Sequence, residues 1–268
     1  MARRRLDAEL VRRGLATSRT EAQEAVRDGL VLVGGRAAGK PSTLVDPAEP
    51  VELVGPARRF VSRGGEKLDA ALDRFGIDVA GVRALDAGAS TGGFTDCLLQ
   101  RGASHIVATD VGYGQLAWSL REDPRVTVLE RTNVRHLRPD ALPFAPELVV
   151  ADLSFISLRL VVGALADLSA ADAGFVLLVK PQFESGRDAV GPGGVVRDPE
   201  RWADAIRGVA EASAAVGLRQ HDVMASPVRG PAGNVEFLLH AKKAAARPDA
   251  VLDLDGALAA GLEIAGRA

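Results

Sequence analysis

Two kinds of hydrophobic pattern divide this chain. In the first 55 residues the apolar stretches are short: Leu6, Leu10 and Val11 share one helical face, and residues 30–33 and 51–54 have the character of brief strands. Beyond residue 60, continuous apolar runs alternate with segments of helical period. Continuous runs indicate strands that are buried on both faces of a sheet. The pattern predicts a small α+β module followed by a larger α/β domain.

Local signals set the elements of the first module. Gly14 ends the first helix, and Ser18 with Glu21 forms a capping box that begins a second helix running to Gly29. Two strands follow, with a glycine turn after the first. A cluster of Pro and Gly residues then indicates a boundary. We therefore predict a first domain over 1–56 and a linker over 57–61.

The remainder predicts a mostly parallel sheet covered by helices, as in Rossmann-like folds. The apolar runs lie at 84–86, 105–110, 126–129, 148–152, 174–180 and 235–240. Helical patterns include residues 68–75 and 199–217. This second domain is predicted over 62–243. The alanine-rich end, 244–268, is either a packed terminal helix or a frayed tail.

The segment 85–94 carries the first chemical signal, because an apolar run ends at Asp86 and then breaks into glycines. Glycines allow a backbone to approach a ligand closely, and the following helix start offers unpaired N–H groups. A nucleotide-like cofactor is one interpretation and a plain connector is the other. The candidate cofactor residues in this segment are Asp86, Gly88, Ser90, Gly92, Gly93 and Phe94.

Asp110 ends the next apolar run and favours S-adenosylmethionine. Its carboxylate could hold both ribose hydroxyls, while Asp86 faces the ammonium group of the methionine end. NAD is the competing ligand, but its pyrophosphate turn needs tighter glycine spacing. Asn133 follows the third strand and is a candidate contact for adenine. Tyr113 and Gln115 are further candidates for the adenosine pocket.

Composition narrows the class of protein. The 268 residues are 47% hydrophobic, yet no apolar run approaches the roughly 20 residues that span a bilayer, and the start lacks an apolar signal core. We expect a cytoplasmic protein that does not act on membranes. The single cysteine, Cys97, excludes an internal disulfide and a cysteine zinc cluster, and we expect it to be buried. No structural metal is expected.

Basic residues are concentrated in the first module. Residues 1–45 hold nine Lys or Arg against five Asp or Glu, although the whole chain has a net charge of −2. These side chains either converge on phosphates or form a solvated face. The candidates for RNA binding are Arg5, Arg12, Arg13, Arg19, Arg27, Arg36 and Lys40. The spacing of Arg5-Leu6-Asp7, Ser18-Arg19 and the glycine-punctuated 29–35 resembles the RNA-binding module of ribosomal protein S4 and pseudouridine synthases.

Four charged residues near predicted strand or helix ends make up the candidate catalytic set: Lys67, Asp152, Lys180 and Glu236. Ligands of open α/β sheets bind at the carboxyl ends of the strands, so Asp152 and Lys180 should lie beside the cofactor. Each residue taken alone could equally be an exposed charge. Asp152 is also a candidate for cofactor binding.

Several motifs in one order resemble the TlyA family of RNA 2′-O-methyltransferases, which are related to the FtsJ type. They are Ser62-Arg63-Gly64-Gly65, the segment 86–94, Asp152-Leu153-Ser154-Phe155, Lys180-Pro181-Gln182-Phe183-Glu184 and Gly233-Asn234-Val235-Glu236. The resemblance implies that Lys67, Asp152, Lys180 and Glu236 form the catalytic tetrad of that family. It also implies a cytidine ribose in small-subunit rRNA, and further in large-subunit rRNA, as methyl acceptor.

Two other functions stay open at this stage. Members of the family have carried haemolysin labels, so a membrane-active cytolysin is one alternative. A non-catalytic RNA-binding factor for ribosome assembly is the other.

A ribose hydroxyl is a weak nucleophile that must be oriented toward the methyl group and must lose a proton. Lys180 is the candidate for assisting this hydroxyl. It would act either as a neutral base that takes the proton or as a charged donor that steers the hydroxyl lone pair. Carbon methylation of pyrimidines is disfavoured because Cys97 lies behind the cofactor turn. Methylation of base nitrogens is disfavoured because an Asn/Asp-Pro-Pro-aromatic segment is replaced by 152–155. Phe155 either stacks on a base or covers the strand end as a core aromatic.

Overall fold

The computed structural model describes residues 3–16, 19–27, 29–54, 59–186, 190–243 and 251–266. It divides into two compact units, Met1–Ser62 and Arg63–Ala268.

The first unit is a small α+β module built on short elements. These are β1 (Arg4–Arg5), α1 (Leu6–Arg12), α2 (Arg19–Arg27), β2 (Val31–Val33), β3 (Arg36–Ala37), β4 (Leu44–Val45) and β5 (Val51–Leu53). Strand β2 lies between β3 and β5 in an antiparallel sheet, and β1 pairs with β4. Leu6, Leu10 and Val26 fill the core between the helices and strands. Both predicted helices are confirmed, whereas Ser18 of the predicted capping box lies outside the described residues.

The second unit alternates helices and strands. In chain order they are α3 (Arg63–Phe75), β6 (Arg83–Ala87), α4 (Gly93–Gln100), β7 (His105–Thr109), α5 (Trp118–Arg121), β8 (Val126–Leu129), β9 (Leu148–Ala151), α6 (Val162–Leu168), β10 (Gly174–Val179), α7 (Pro181–Glu184), α8 (Pro199–Ala215), β11 (Leu218–Ala225), β12 (Phe237–Lys243) and α9 (Leu254–Gly266).

The seven strands form one sheet in the order β11-β12-β10-β9-β6-β7-β8. The pairs from β10 through β8 are parallel, while β12 runs antiparallel to both β10 and β11. The mostly parallel sheet is therefore confirmed. Because β6, β7, β9 and β10 run in one direction, the residues after them meet along one edge, which we call the carboxyl edge. Asp110, Asp152 and Lys180 each directly follow one of these strands.

Several elements had no counterpart in the sequence-based prediction, among them the short strands β1, β3 and β4 and the helices α5, α6 and α7. Strand β11 was not predicted, because polar residues such as Gln220 and Asp222 interrupt its apolar positions and its register shifts between these two residues. The terminal helix α9 is packed, with Gly261 against Trp202 and Phe237, which decides between a helix and a frayed tail for residues 254–266.

Candidate active site

A cavity of about 510 Å³ opens at the carboxyl edge. Five of the predicted cofactor residues lie on its wall: Gly88, Ser90, Asp110, Asn133 and Asp152. Gln115 also contributes to the wall. The cavity thus brings together residues from the ends of β6, β7, β8 and β9. Asp86, Gly92, Gly93 and Phe94 are not among the lining residues, and their contact with the cofactor stays a prediction.

Gly88 explains why the first turn of the site needs glycine. Its φ is +89°, and a Cβ atom there would lie 2.4 Å from the carbonyl oxygen of Asp152. Residues with a side chain rarely adopt such a φ angle, and a Cβ atom cannot lie so close to a carbonyl oxygen. The close approach therefore joins the turn after β6 to the backbone after β9, on the wall of the cavity.

Gly92 has a different reason to lack a side chain. Its φ is +100°, and a Cβ atom would lie 2.2 Å from Cδ1 of Leu120 and 2.8 Å from Cδ1 of Leu116. The space is taken by leucine side chains of this chain. Close approach to a ligand is thus not needed to account for glycine at this position.

Asp110 is held in one orientation by two backbone donors. The Ser90 N–H donates to Oδ2 at 2.9 Å, and the Gly112 N–H donates to Oδ1 at 2.6 Å. Both bonds fix the carboxylate on the cavity wall. Each oxygen keeps a further lone pair that is able to accept a hydroxyl proton.

Asp86 is a buried carboxyl behind this wall. Thr95 Oγ1 donates to its Oδ2 at 2.6 Å, whereas Oδ1 has no hydrogen-bond partner within the described structure. Burial raises the pKa of Asp86 to about 7, although the bond from Thr95 acts in the opposite direction. An unpartnered buried carboxylate oxygen is a feature that a cationic group would satisfy.

The four predicted catalytic residues meet as two ion pairs. Lys67 on α3 donates from Nζ to Oε2 of Glu236 at 2.5 Å, and both side chains are buried. Lys180 Nζ lies 2.5 Å from Oδ1 of Asp152. Glu236 precedes β12 by one residue, so the expectation that it lies on the last strand is wrong by one position.

The two pairs also act on each other. Burial alone would lower the pKa of Lys67, but attraction to Glu236 and Asp152 outweighs it and leaves the pKa above its ordinary value. Burial alone would raise the pKa of Asp152, but attraction to Lys180 and Lys67 holds it below its ordinary value. Asp152 therefore stays a carboxylate and Lys67 an ammonium at neutral pH.

Sequence reasoning assigned no role to Ser154 or Gly230. Lys180 Nζ donates to Ser154 Oγ at 3.0 Å, so the amine has two acceptors on the loop after β9. A Cβ atom at Gly230 would lie 2.4 Å from Oε1 of Glu236. Neither contact has a local sequence signal, because both depend on the path of the folded chain.

Three aromatic side chains are exposed in the segments that follow β7 and β9, two of them on loops and one, Trp118, at the start of α5. Tyr113, Trp118 and Phe155 are 68%, 71% and 92% exposed. The alternative of Phe155 as a core aromatic is therefore wrong. The guanidinium of Arg131 lies 4.3 Å from the centre of the Tyr113 ring. Exposed rings near a basic group provide a surface on which nucleobases stack.

Buried carboxylates organise several predicted RNA-binding arginines in the first unit. Asp7 pairs with Arg5 at 2.8 Å and Arg19 at 3.2 Å. Glu9 pairs with Arg12 and Arg13, and hydrogen bonds from these two lower the pKa of Glu9 to about 2. The acidic side chains therefore stay ionised and hold the guanidinium groups in fixed directions.

These candidates differ in how much of each side chain remains available. Arg13 also donates to the carbonyl oxygens of Pro47 and Glu49, both at 2.9 Å, and is mostly covered. Arg5, Arg12 and Arg19 stay about half exposed. Exposure is also found for Arg27, Arg36 and Lys40. Arg13 therefore holds the fold of the first unit together, and less of its guanidinium is available to RNA than in the other candidates.

Two expectations about other parts of the chain can be checked directly. Cys97 is buried and forms no disulfide, as predicted. No helix in the described ranges has the length and apolar character to cross a bilayer.

The fold and the cavity define a methyltransferase of the Rossmann-like class. The family model for FtsJ-like methyltransferases matches residues 60–243, and the model for the S4 domain matches residues 4–51. The FtsJ-like model therefore covers most of the second unit, and the S4 model covers most of the first unit.

Similar proteins extend the match over nearly the whole chain. The 16S/23S rRNA (cytidine-2′-O)-methyltransferase TlyA of Mycobacterium tuberculosis is 57% identical over 241 residues, which are 89% of this chain and 90% of the relative. Hemolysin A of Brachyspira hyodysenteriae is 36% identical over 88% of this chain and 98% of its own length. The solved structure of a hemolysin-named protein from Streptococcus thermophilus has a TM-score of 0.80 at 36% identity, covering 98% of this chain and 97% of that one. The chain belongs to the TlyA family of FtsJ-like methyltransferases.

The cofactor of this enzyme is S-adenosylmethionine. The residues present fit it: Asp110 has carboxylate oxygens on the cavity wall that suit ribose hydroxyls, and Asp86, behind the wall, has a buried unpartnered oxygen that would suit an ammonium group. Gly88 brings backbone to the cavity wall without a side chain. When bound, the cofactor supplies an electrophilic methyl group on a sulfonium.

Proposed function

We propose that this enzyme methylates the ribose 2′-hydroxyl of cytidine in ribosomal RNA. The observation that carries the proposal is the convergence of Lys67, Asp152, Lys180 and Glu236 as two ion pairs at the carboxyl edge, with Asp152 on the cavity wall. The substrate named for the M. tuberculosis relative supports the choice of acceptor. Small-subunit RNA is the first candidate, with large-subunit RNA as a second.

Lys180 orients the acceptor hydroxyl in this proposal. Asp152 and Ser154 hold the amine from one side, which leaves its remaining donor capacity for the ribose oxygen. A hydrogen bond to that oxygen directs a lone pair toward the methyl group, and the proton is released to water late in transfer. The buried pair of Lys67 and Glu236 lies beside this group, and the positive charge of Lys67 helps to keep Asp152 ionised.

Division of labour between the two units follows from their chemistry. Residues 1–56 bind RNA through arginines held by Asp7 and Glu9, and residues 62–243 perform the transfer. Exposed Tyr113, Trp118 and Phe155 support a nucleic-acid acceptor at the catalytic unit, because unstacked bases bind to aromatic faces. The proposed location is the cytoplasm, where ribosomes are found.

Labelled methyl transfer to separate ribosomal subunits tests the proposal. Wild-type protein should label RNA of at least one subunit, and Lys180→Ala should abolish labelling while cofactor binding persists. Lys242→Ala, an exposed lysine on β12, is the matched control and should label normally. Normal transfer by Lys180→Ala would refute the catalytic assignment. Absence of RNA labelling by the wild type, with cofactor bound, would instead favour a non-catalytic assembly factor.

A further inference from the structure

Glu184 is a buried acidic residue that the catalytic scheme leaves without a role. It ends α7, the single helical turn that follows Lys180, and only 7% of its surface is exposed. Its backbone N–H donates to the carbonyl oxygen of Lys180 at 3.2 Å. Glu184 therefore ends the helical turn that Lys180 begins.

Its carboxylate is bonded to a different loop, the one that follows β9. Ser157 Oγ donates to Oε2 at 2.5 Å, and the Leu158 N–H donates to Oε1 at 2.7 Å. Arg159 completes the contact, with Nε 3.4 Å from Oε2 and Nη2 donating to the Glu184 carbonyl oxygen at 2.9 Å. Burial raises the pKa of the Glu184 carboxyl, whereas the bonds from Ser157 and Leu158 and the attraction to Arg159 favour its ionised form. Glu184 thus joins the loop after β10 to the loop after β9.

The loop after β9 is consequently attached at two places. Near its start, Asp152 and Ser154 contact the Lys180 amine, and near its end Ser157 contacts Glu184. Phe155 lies between these attachments with a φ of +64°, which is unfavourable for a residue with a bulky side chain. Such a backbone persists only where its surroundings enforce it. The two attachments supply that constraint.

We infer that Glu184 is a positioning residue for the methyl acceptor. It acts through the loop after β9, fixing the Lys180 amine relative to its acceptors and holding Phe155 outward, with its ring 5.3 Å from that of Phe183. The inference rests on the proposed function. Asp110, which also lies on the cavity wall, is fixed by Ser90 and Gly112, and neither of these bonds involves Glu184.

The test is the rate of a single turnover at saturating RNA and cofactor, normalised to the number of cofactor-binding sites. Glu184→Ala should lower this rate by between about tenfold and about 100-fold, since small misplacements of reacting groups have effects of this size. Cofactor affinity should stay within about threefold of the wild type. Glu184→Gln should be less impaired, because its carbonyl oxygen still accepts from the Leu158 N–H. Glu211→Gln, exposed on α8, is the control and should be unchanged.

A purely structural role would reduce the fraction of folded enzyme and leave the rate per site unaltered. A normalised rate for Glu184→Ala within about twofold of the wild type would therefore overturn the inference. If Glu184→Ala does not fold, Ser157→Ala is tested instead. A lowered rate supports the inference when the double variant Ser157→Ala/Glu184→Gln loses less than the two single effects combined, because both substitutions remove the same contact. An unchanged rate for Ser157→Ala refutes the inference. Failure of the wild type to methylate RNA would count against the proposed function instead.

Discussion

Replacing Lys67 by methionine would separate the role of the buried ion pair in stability from its role in catalysis. Lys67 is the hydrogen-bonded partner of Glu236, whose side chain is only 1% exposed and whose Oε1 already lacks a partner in the described structure. Lys67→Met would leave that carboxylate buried and uncompensated. Removing one partner of a buried pair costs about 3–5 kcal/mol, and we expect a loss of unfolding free energy in this range.

Replacing the acidic partner, Glu236, should lower the free energy of unfolding by less. After Glu236→Gln, Lys67 is still attracted by Asp152 and faces a neutral acceptor. The double variant Lys67→Met/Glu236→Met removes both charges and should recover most of the lost stability, because apolar replacements of buried pairs are often neutral. Methyl transfer should stay lost in all three variants, since recovered packing does not restore the charges.

Urea unfolding followed by tryptophan fluorescence is the appropriate assay. Trp118 and Trp202 both lie in the second unit, and Trp202 is buried, so the signal reports that unit. Arg207→Met is the control, because its pair with Asp204 is more than half exposed and should contribute no more than about 1 kcal/mol. A Lys67→Met loss no larger than this control, or a double variant that loses as much stability as Lys67→Met alone, would refute the reasoning.

Three further predictions concern the cofactor and RNA. Since burial raises the pKa of Asp86 to about 7 and a bound ammonium group favours the carboxylate, cofactor affinity should fall as the pH drops below about 7, and Asp86→Asn should flatten this dependence in calorimetric titrations. A pH-independent wild type would contradict it. Gly88→Ala should weaken cofactor binding by roughly tenfold or more, through strain and the clash with Asp152, whereas Gly76→Ala, also at positive φ but in open space, should bind normally. Arg12→Ala should weaken RNA binding and reduce the salt slope by about 0.7–0.9, and an unchanged slope in filter-binding titrations would exclude its phosphate contact.

Sequence patterns predict much of this fold because the central strands are buried on both faces. Runs such as 148–152 and 174–180 contain almost only apolar residues, which fixes β9 and β10 within one residue at their ends. Strand β11 lies at the sheet edge and carries polar residues between its buried positions, so its pattern resembles a loop or an extension of the preceding helix. A continuous apolar run is thus what allows a strand to be predicted, since β8, at the other edge of the sheet, has such a run and was predicted over its full length.

The candidate site divides in the same way. Asp110, Asp152 and Lys180 could be placed together because each follows a parallel strand. The contacts of Glu184 with Ser157, and of Gly230 with Glu236, depend on how loops cross in three dimensions, and no residue spacing encodes them. Residue type alone could not decide whether Phe155 is buried in the core or exposed for stacking. In the structure it is exposed, on a backbone held at positive φ.

Identification of the modified nucleoside tests the proposed function most directly. RNA from subunits incubated with the enzyme and S-adenosylmethionine is digested to nucleosides and analysed by mass spectrometry, with Lys180→Ala as the inactive control. Transfer to the ribose predicts a cytidine whose added methyl group stays on the sugar fragment when the glycosidic bond is broken. A methyl group found on the base fragment, or no methylated cytidine with either subunit, would contradict ribose 2′-O-methylation by this enzyme.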